Sequence, residues 1–124
     1  MARSAGSILT DKILARHGAR SDLRLWRNET SGAWVGAVGG RTTKGGIILR
    51  PGARLIQAGL CIGSADLIGL RNDGVFLALE VKAPGDKLKK EQRVFLTVVK
   101  MLGGVAAVVT SVEDVDAILG EPPK

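Results

Sequence analysis

Near the start of the chain, Ile8, Leu9, Ile13 and Leu14 recur at helical spacing within residues 7–16, and Gly18 follows as a stop. This spacing predicts a short amphipathic helix. Leu23–Arg27 alternates Leu and Arg around Trp26 and predicts a short strand. Residues 28–59 lose regularity: glycines stand at 32, 36, 39, 40, 45, 46, 52 and 59, leaving room for short β pieces around Trp34–Val38, Ile47–Leu49 and Leu55–Ile56. Order returns at Asp66–Leu70 and Val75–Lys82, two apolar β runs around the turn sequence Arg71-Asn72-Asp73-Gly74. Ala83-Pro84-Gly85-Asp86 breaks the second run. From Lys89 to Leu102 the period is helical again, with Gln92, Phe95, Leu96, Val99 and Leu102 on one face and Gly103-Gly104 as the stop. Val105–Thr110 predicts an apolar strand and Val112–Leu119 a last short helix. The order of helix, strands, hairpin, helix, strand and helix predicts an α/β or α+β fold with one mixed sheet.

Composition narrows the class. With 124 residues the chain has room for one domain, 1–124. One cysteine, Cys61, excludes a disulfide framework and a Cys-based zinc site, and one histidine, His17, excludes a His-cluster metal site. No run approaches the roughly 18 apolar residues of a membrane span, and the first residues lack a signal-peptide core. The expectation is a cytoplasmic protein with no membrane partner. Aromatics are only 3% of residues, which disfavours base-stacking platforms. The net charge of +6 is uneven: residues 1–100 hold 17 Lys/Arg against 8 Asp/Glu, whereas residues 101–124 hold one Lys against four acids. The basic character belongs to the body of the domain and points to a polyanionic partner.

Asp66, Glu80 and Lys82 then need a reason, because charges in apolar β runs are expensive unless paired or metal-bound. The period of two places Glu80 and Lys82 on one face of their strand and Leu77, Leu79 and Val81 on the other. Hairpin register decides whether Asp66 joins them. A three-residue loop, Asn72-Asp73-Gly74, pairs Arg71 with Val75 and sets Asp66 opposite Glu80; a two-residue loop turns Asp66 to the other face. We expect the three-residue loop. Opposed residues lie about 4.5–5.5 Å apart at Cα, close enough to share one divalent cation. Two carboxylates and a backbone carbonyl, that of Val81, suit Mg²⁺ or Mn²⁺. Such a cation would activate water against a phosphodiester while Lys82 stabilises developing charge. An acid–Lys salt bridge at a sheet edge is the alternative.

Three segments carry a family resemblance: Gly63-Ser64-Ala65-Asp66-Leu67-Ile68-Gly69, then Leu79-Glu80-Val81-Lys82-Ala83-Pro84-Gly85-Asp86-Lys87-Leu88, then Glu91-Gln92-Arg93. Together, over about residues 61–110, they resemble the VRR-NUC (virus-type replication-repair nuclease) branch of the PD-(D/E)xK nucleases. The resemblance implies a restriction-endonuclease-like α/β fold, a mixed central sheet flanked by helices. It also implies a metal-dependent endonuclease selective for branched DNA such as Holliday junctions or flaps. Small stand-alone members are phage-like homodimers, which implies a bacterial or phage-infected cell. By the same match Asp66 and Glu80 would hold Mg²⁺, Lys82 would be the catalytic lysine and Gln92 the accessory polar residue. The chain departs from the family in having Lys89 where a helix-capping Ser or Thr is usual. The N-terminal-helix glutamate has no counterpart at residues 4–8; Glu29 is a candidate for that carboxylate, with an exposed loop residue as the alternative.

Outside this block, Arg41-Thr42-Thr43-Lys44-Gly45-Gly46 lacks the Walker pattern and reads as a basic loop, with Arg41 and Lys44 contacting DNA phosphates. Lys87, Lys89, Lys90 and Arg93 surround the start of the Gln92 helix and are expected to contact the DNA backbone. His17 reads as a surface residue at a helix end, Cys61 as a small buried hydrophobe, and Trp26 and Trp34 as core or dimer-interface residues. A non-catalytic DNA-binding module that kept the nuclease fold is the competing function.

Overall fold

A computed structural model of the chain describes residues 3–29 and 32–124. Its elements are α1 (Ala5–His17), β1 (Leu23–Arg27), β2 (Gly32–Val35), β3 (Val38–Arg41), β4 (Ile47–Leu49), β5 (Arg54–Gln57), β6 (Leu67–Arg71), β7 (Phe76–Val81), α2 (Lys90–Met101), β8 (Val105–Val109) and α3 (Val112–Leu119). The apolar run of β7 is buried on both faces from Leu77 to Val81. Its odd positions, Leu77, Leu79 and Val81, join Ile13 of α1 and Val115 of α3 in one core. Ala78, on the other face, packs with Leu96 and Val99 of α2. Burial of each large side chain contributes roughly 1.5–3 kcal/mol, so the alternation of β7 fixes which helix lies on which face.

The main sheet has the order β1-β6-β7-β8. β1 and β7 flank β6 antiparallel, and β8 runs parallel to β7. The fold is therefore a mixed four-stranded sheet with helices on both faces, consistent with a restriction-endonuclease-like α/β architecture. The hairpin has the expected loop: Arg71 N–H donates to Val75 O at 3.0 Å and Gly74 N–H to Arg71 O at 2.9 Å. Gly74 takes φ of +85°, the left-handed conformation that closes such a loop. The remaining strands pair apart from this sheet, β2 with β5 and β3 with β4. The expected strand around Trp34–Val38 is thus two strands, interrupted at Gly36-Ala37. No helix among the described residues is long and apolar enough to cross a membrane.

Four assignments are corrected. His17 is buried, at 0% exposure, because α3 packs over the end of α1. Its Nε2 lies 2.7 Å from Asp116 Oδ1, and Nδ1 accepts from the Arg20 guanidinium at 3.0 Å. Since arginine only donates, this arrangement requires the neutral ring with its proton on Nε2. Burial, above all, lowers the pKa of His17. Cys61 is exposed, because its loop lies outside both cores. Trp26 and Trp34 are exposed, which removes the core half of their assignment and leaves the dimer-interface half. Leu102 caps α2 beyond its last turn and is 84% exposed, although Leu96 and Val99 of the same predicted face are buried.

Candidate active site

The β6–β7 register pairs Leu67 with Leu79 and Leu70 with Phe76; one step further along the same alignment stand Asp66 and Glu80, whose carboxyl groups interact. Three local devices hold the pair. Asp66 Oδ2 accepts from the Val81 N–H at 2.9 Å, and the Asp66 carbonyl accepts from Asn28 N–H at 2.8 Å. Lys82 N–H donates to Val109 O at 3.0 Å, so β8 fixes the backbone one residue beyond β7. In an extended strand the N–H and C=O of one residue face the same edge, which turns the Val81 carbonyl towards the Asp66 side as well.

Glu80 is the residue under electrostatic stress. It is only 2% exposed. Oε1 accepts from Gln92 Nε2 at 3.0 Å and lies 3.7 Å from Lys82 Nζ. Oε2 is buried without a hydrogen-bond partner among the described residues. Burial first, and then the neighbouring Asp66 carboxylate, push the Glu80 carboxyl up to about 8, while Lys82 pulls it the other way. A buried carboxylate with a free oxygen, beside a second carboxylate, is a proton or cation acceptor by construction. Among the described residues no three His, Cys, Asp or Glu gather in one place. A cation here would therefore rest on two carboxylates, the pattern Mg²⁺ accepts when backbone and water oxygens complete its shell.

Gln92 connects α2 to this pair. Its Oε1 accepts from the Lys89 N–H at 2.9 Å, while Nε2 donates to Glu80. The first bond is half of a capping box, so the helix start is satisfied although Lys89 stands where a hydroxyl cap would. It also fixes which end of the amide faces Glu80.

An open cleft of about 400 Å³ lies beside Asp66, between the first turns of α1 and the end of β1. Ser4, Ser7, Thr10, Asp66 and Val81 line it, and Glu29 enters from the β1 end. The wall formed by α1 offers only small residues where a helix glutamate is expected, and Glu29 lines the same cleft without forming a three-acid cluster with Asp66 and Glu80 among the described residues. Lys87, Lys89, Lys90 and Arg93 are all exposed around the start of α2. Arg41 and Lys44 are exposed too, but at the end of β3 and in the following turn, outside the main sheet.

Asn28 is not singled out by the sequence. It is buried, and its Nδ2 donates to Ser64 Oγ at 2.7 Å and Ala65 O at 2.8 Å, while Oδ1 accepts from Leu60 N–H at 3.1 Å. Gly59 makes room for it: a Cβ there would lie 2.4 Å from Glu29 O and 3.0 Å from Asn28 Oδ1. Asn28 thus ties the end of β1 to the loop that delivers Asp66. Its only sequence signal is a polar residue directly after a predicted strand, which a surface turn would produce equally well.

No curated protein and no solved structure matches the chain. The VRR-NUC domain model matches residues 49–113, just over half of the chain, and that segment contains Asp66, Glu80, Lys82 and Gln92. The chain belongs to the VRR-NUC domain family, a family of nucleases that generally act on DNA.

Proposed function

We propose that this protein is a Mg²⁺-dependent endodeoxyribonuclease that cuts branched DNA, such as Holliday junctions or flaps, as a homodimer. The Glu80 carboxyl carries the reading: it lies beside Asp66, and its Oε2 is buried with no hydrogen-bond partner among the described residues. Asp66, Glu80 and the Val81 carbonyl would hold the cation, with Glu29 reaching the same cleft. Bound there, Mg²⁺ would act as a Lewis acid on the phosphodiester and lower the pKa of water. The chain's own groups do the rest. Gln92 fixes one Glu80 oxygen and leaves the other free, and Lys82 places a positive charge beside the carboxylates. Arg41, Lys44, Lys87, Lys89, Lys90 and Arg93 would contact DNA phosphates, adding affinity without reading sequence.

One site cuts one strand, so symmetric resolution of a junction requires two copies. Val94, Val98, Met101 and Leu102 form an exposed apolar strip along and beyond α2 that such a dimer could bury.

Incubation with labelled junction, flap, duplex and single-stranded DNA tests the reading. We expect cleavage of the branched substrates in Mg²⁺ or Mn²⁺ and none in chelator. Binding without turnover under all conditions would instead identify a DNA-binding module on a nuclease fold. Sedimentation at the monomer mass under cleaving conditions would remove the dimer.

Asn28→Ala should raise the Mg²⁺ concentration needed for half-maximal cleavage by about 10-fold or more, since residues that orient ligands commonly contribute 10–100-fold to metal affinity or activity. It should also cost about 1–3 kcal/mol of stability through the partners left unsatisfied. A magnesium titration and a thermal melt read the two effects separately.

A further inference from the structure

Residues 32–57 hold none of the proposed metal or catalytic groups, and of their residues the proposed function uses only Arg41 and Lys44. β2 pairs with β5 and β3 with β4, both antiparallel. The two pieces join into one ribbon, because Arg50 N–H donates to Ala37 O at 2.8 Å and Gly36 lies against Ala53. Each piece packs on its own partner strand, and among the described residues neither has substantial contact with a helix or the main sheet. Ten residues from Gly32 to Arg41 at about 3.3 Å each give the ribbon a contour of roughly 30 Å. Its root adjoins the candidate site, since β2 begins three residues after Glu29 and β5 leads into the loop held by Asn28.

The charge of this ribbon is one-sided. Arg41, Lys44, Arg50 and Arg54 are its charged residues, and residues 32–57 contain no Asp or Glu. All four are exposed, and none forms an ion pair among the described residues. Four unneutralised cations on a free two-stranded ribbon match a polyanion, and the DNA major groove is wide enough to admit such a ribbon.

We propose that residues 32–57 are a β-arm that grips a duplex segment of the substrate beside the cut site, with Arg50 and Arg54 as phosphate contacts in addition to Arg41 and Lys44. The proposal rests on the nuclease reading for its choice of DNA. The exposed Trp34, Ile47, Ile48 and Leu55 make the arm of a second copy the alternative occupant. Charge decides between them: two such arms would bring eight cations together with no acid of their own, whereas DNA neutralises each one. Apolar side chains in the groove find thymine methyl groups.

Fluorescence-anisotropy binding of a labelled 30-base-pair duplex and a four-way junction, in chelator at several salt concentrations, tests the arm. The background is full-length Glu80→Gln protein, so that hydrolysis plays no part in the readout. With Arg50→Ala and Arg54→Ala combined, the slope of log affinity against log salt should become shallower by about 0.9 for each phosphate no longer neutralised. Affinity should fall at least several-fold while the melting temperature is unchanged. The single variant Lys44→Glu at the turn should weaken binding in the same direction. Unchanged affinity and slope in both variants would overturn the arm as a DNA contact. So would a dimer that Trp34→Ala dissociates while DNA affinity persists, which would assign the arm to a second copy. Failure of the nuclease reading would show separately, as absence of Mg²⁺-dependent cleavage by the unsubstituted protein.

Discussion

Glu80→Gln should abolish cleavage, by about 10³-fold or more, and at the same time make the metal-free protein more stable. Both effects have one cause. The carboxyl is buried beside Asp66, Oε2 has no hydrogen-bond partner among the described residues, and the pKa is raised from 4.5 to about 8. Between those two pH values the folded state holds a proton that the unfolded state releases, so the stability of the metal-free protein falls as pH rises through this window and levels off above it. The amide has no such proton. It keeps the Oε1 that accepts from Gln92 and gains an N–H to offer Asp66. In chelator the melting temperatures of the two proteins should coincide below about pH 4. At pH 8 Glu80→Gln should lie roughly 10 °C higher, reflecting a difference on the order of 3 kcal/mol. Added Mg²⁺ should raise the native protein and leave the variant unchanged, because a ligand stabilises only the state that binds it. Equal melting curves at pH 8 in chelator would show that Glu80 is not under stress and would remove the main support for a cation there.

The parts of the fold legible in the sequence are those where one local rule decides. The period of two in β7 and the residues of the Arg71–Gly74 turn suffice to place Asp66 opposite Glu80, because a three-residue loop permits one register only. Gln92 is legible for a similar reason, as the first inward position of an amphipathic helix. Long-range packing erases other signals. His17 looks like an exposed helix end until α3, about a hundred residues later, brings Asp116 against it. Asn28 acts through Leu60, Ser64 and Ala65, more than thirty residues away, and no periodicity announces such a contact. Leu102 obeys the helical period of α2 but falls after the helix ends, so it stays exposed although Leu96 and Val99 on the face it continues are buried.

Lys82→Met should lower cleavage by about 10²–10³-fold, the loss typical of removing one preorganised electrostatic contact to a transition state, while the fold and most of the DNA affinity remain. The methylene stem is largely buried, with 14% of the side chain exposed, and Met replaces its volume without a new polar group. As one cation among many on a basic body, Lys82 should account for a change of no more than about 1 in the salt slope of binding. Its position predicts a second effect that a purely structural lysine would not produce. Lys82 is the charge that opposes the upward push on the Glu80 carboxyl, so without it Glu80 holds its proton to a higher pH. Residual cleavage by Lys82→Met should therefore rise with pH along a limb displaced to higher values than in the native protein, and excess Mg²⁺ should shift that limb back. Lys82→Arg keeps the charge and should keep the native limb. Its planar, five-donor head does not reproduce a compact ammonium 3.7 Å from Glu80 Oε1, so it should recover only part of the rate. A Lys82→Met protein with full activity, or with an unmoved pH limb, would assign the catalytic charge to another residue, leaving Lys82 as a salt bridge at the end of β7.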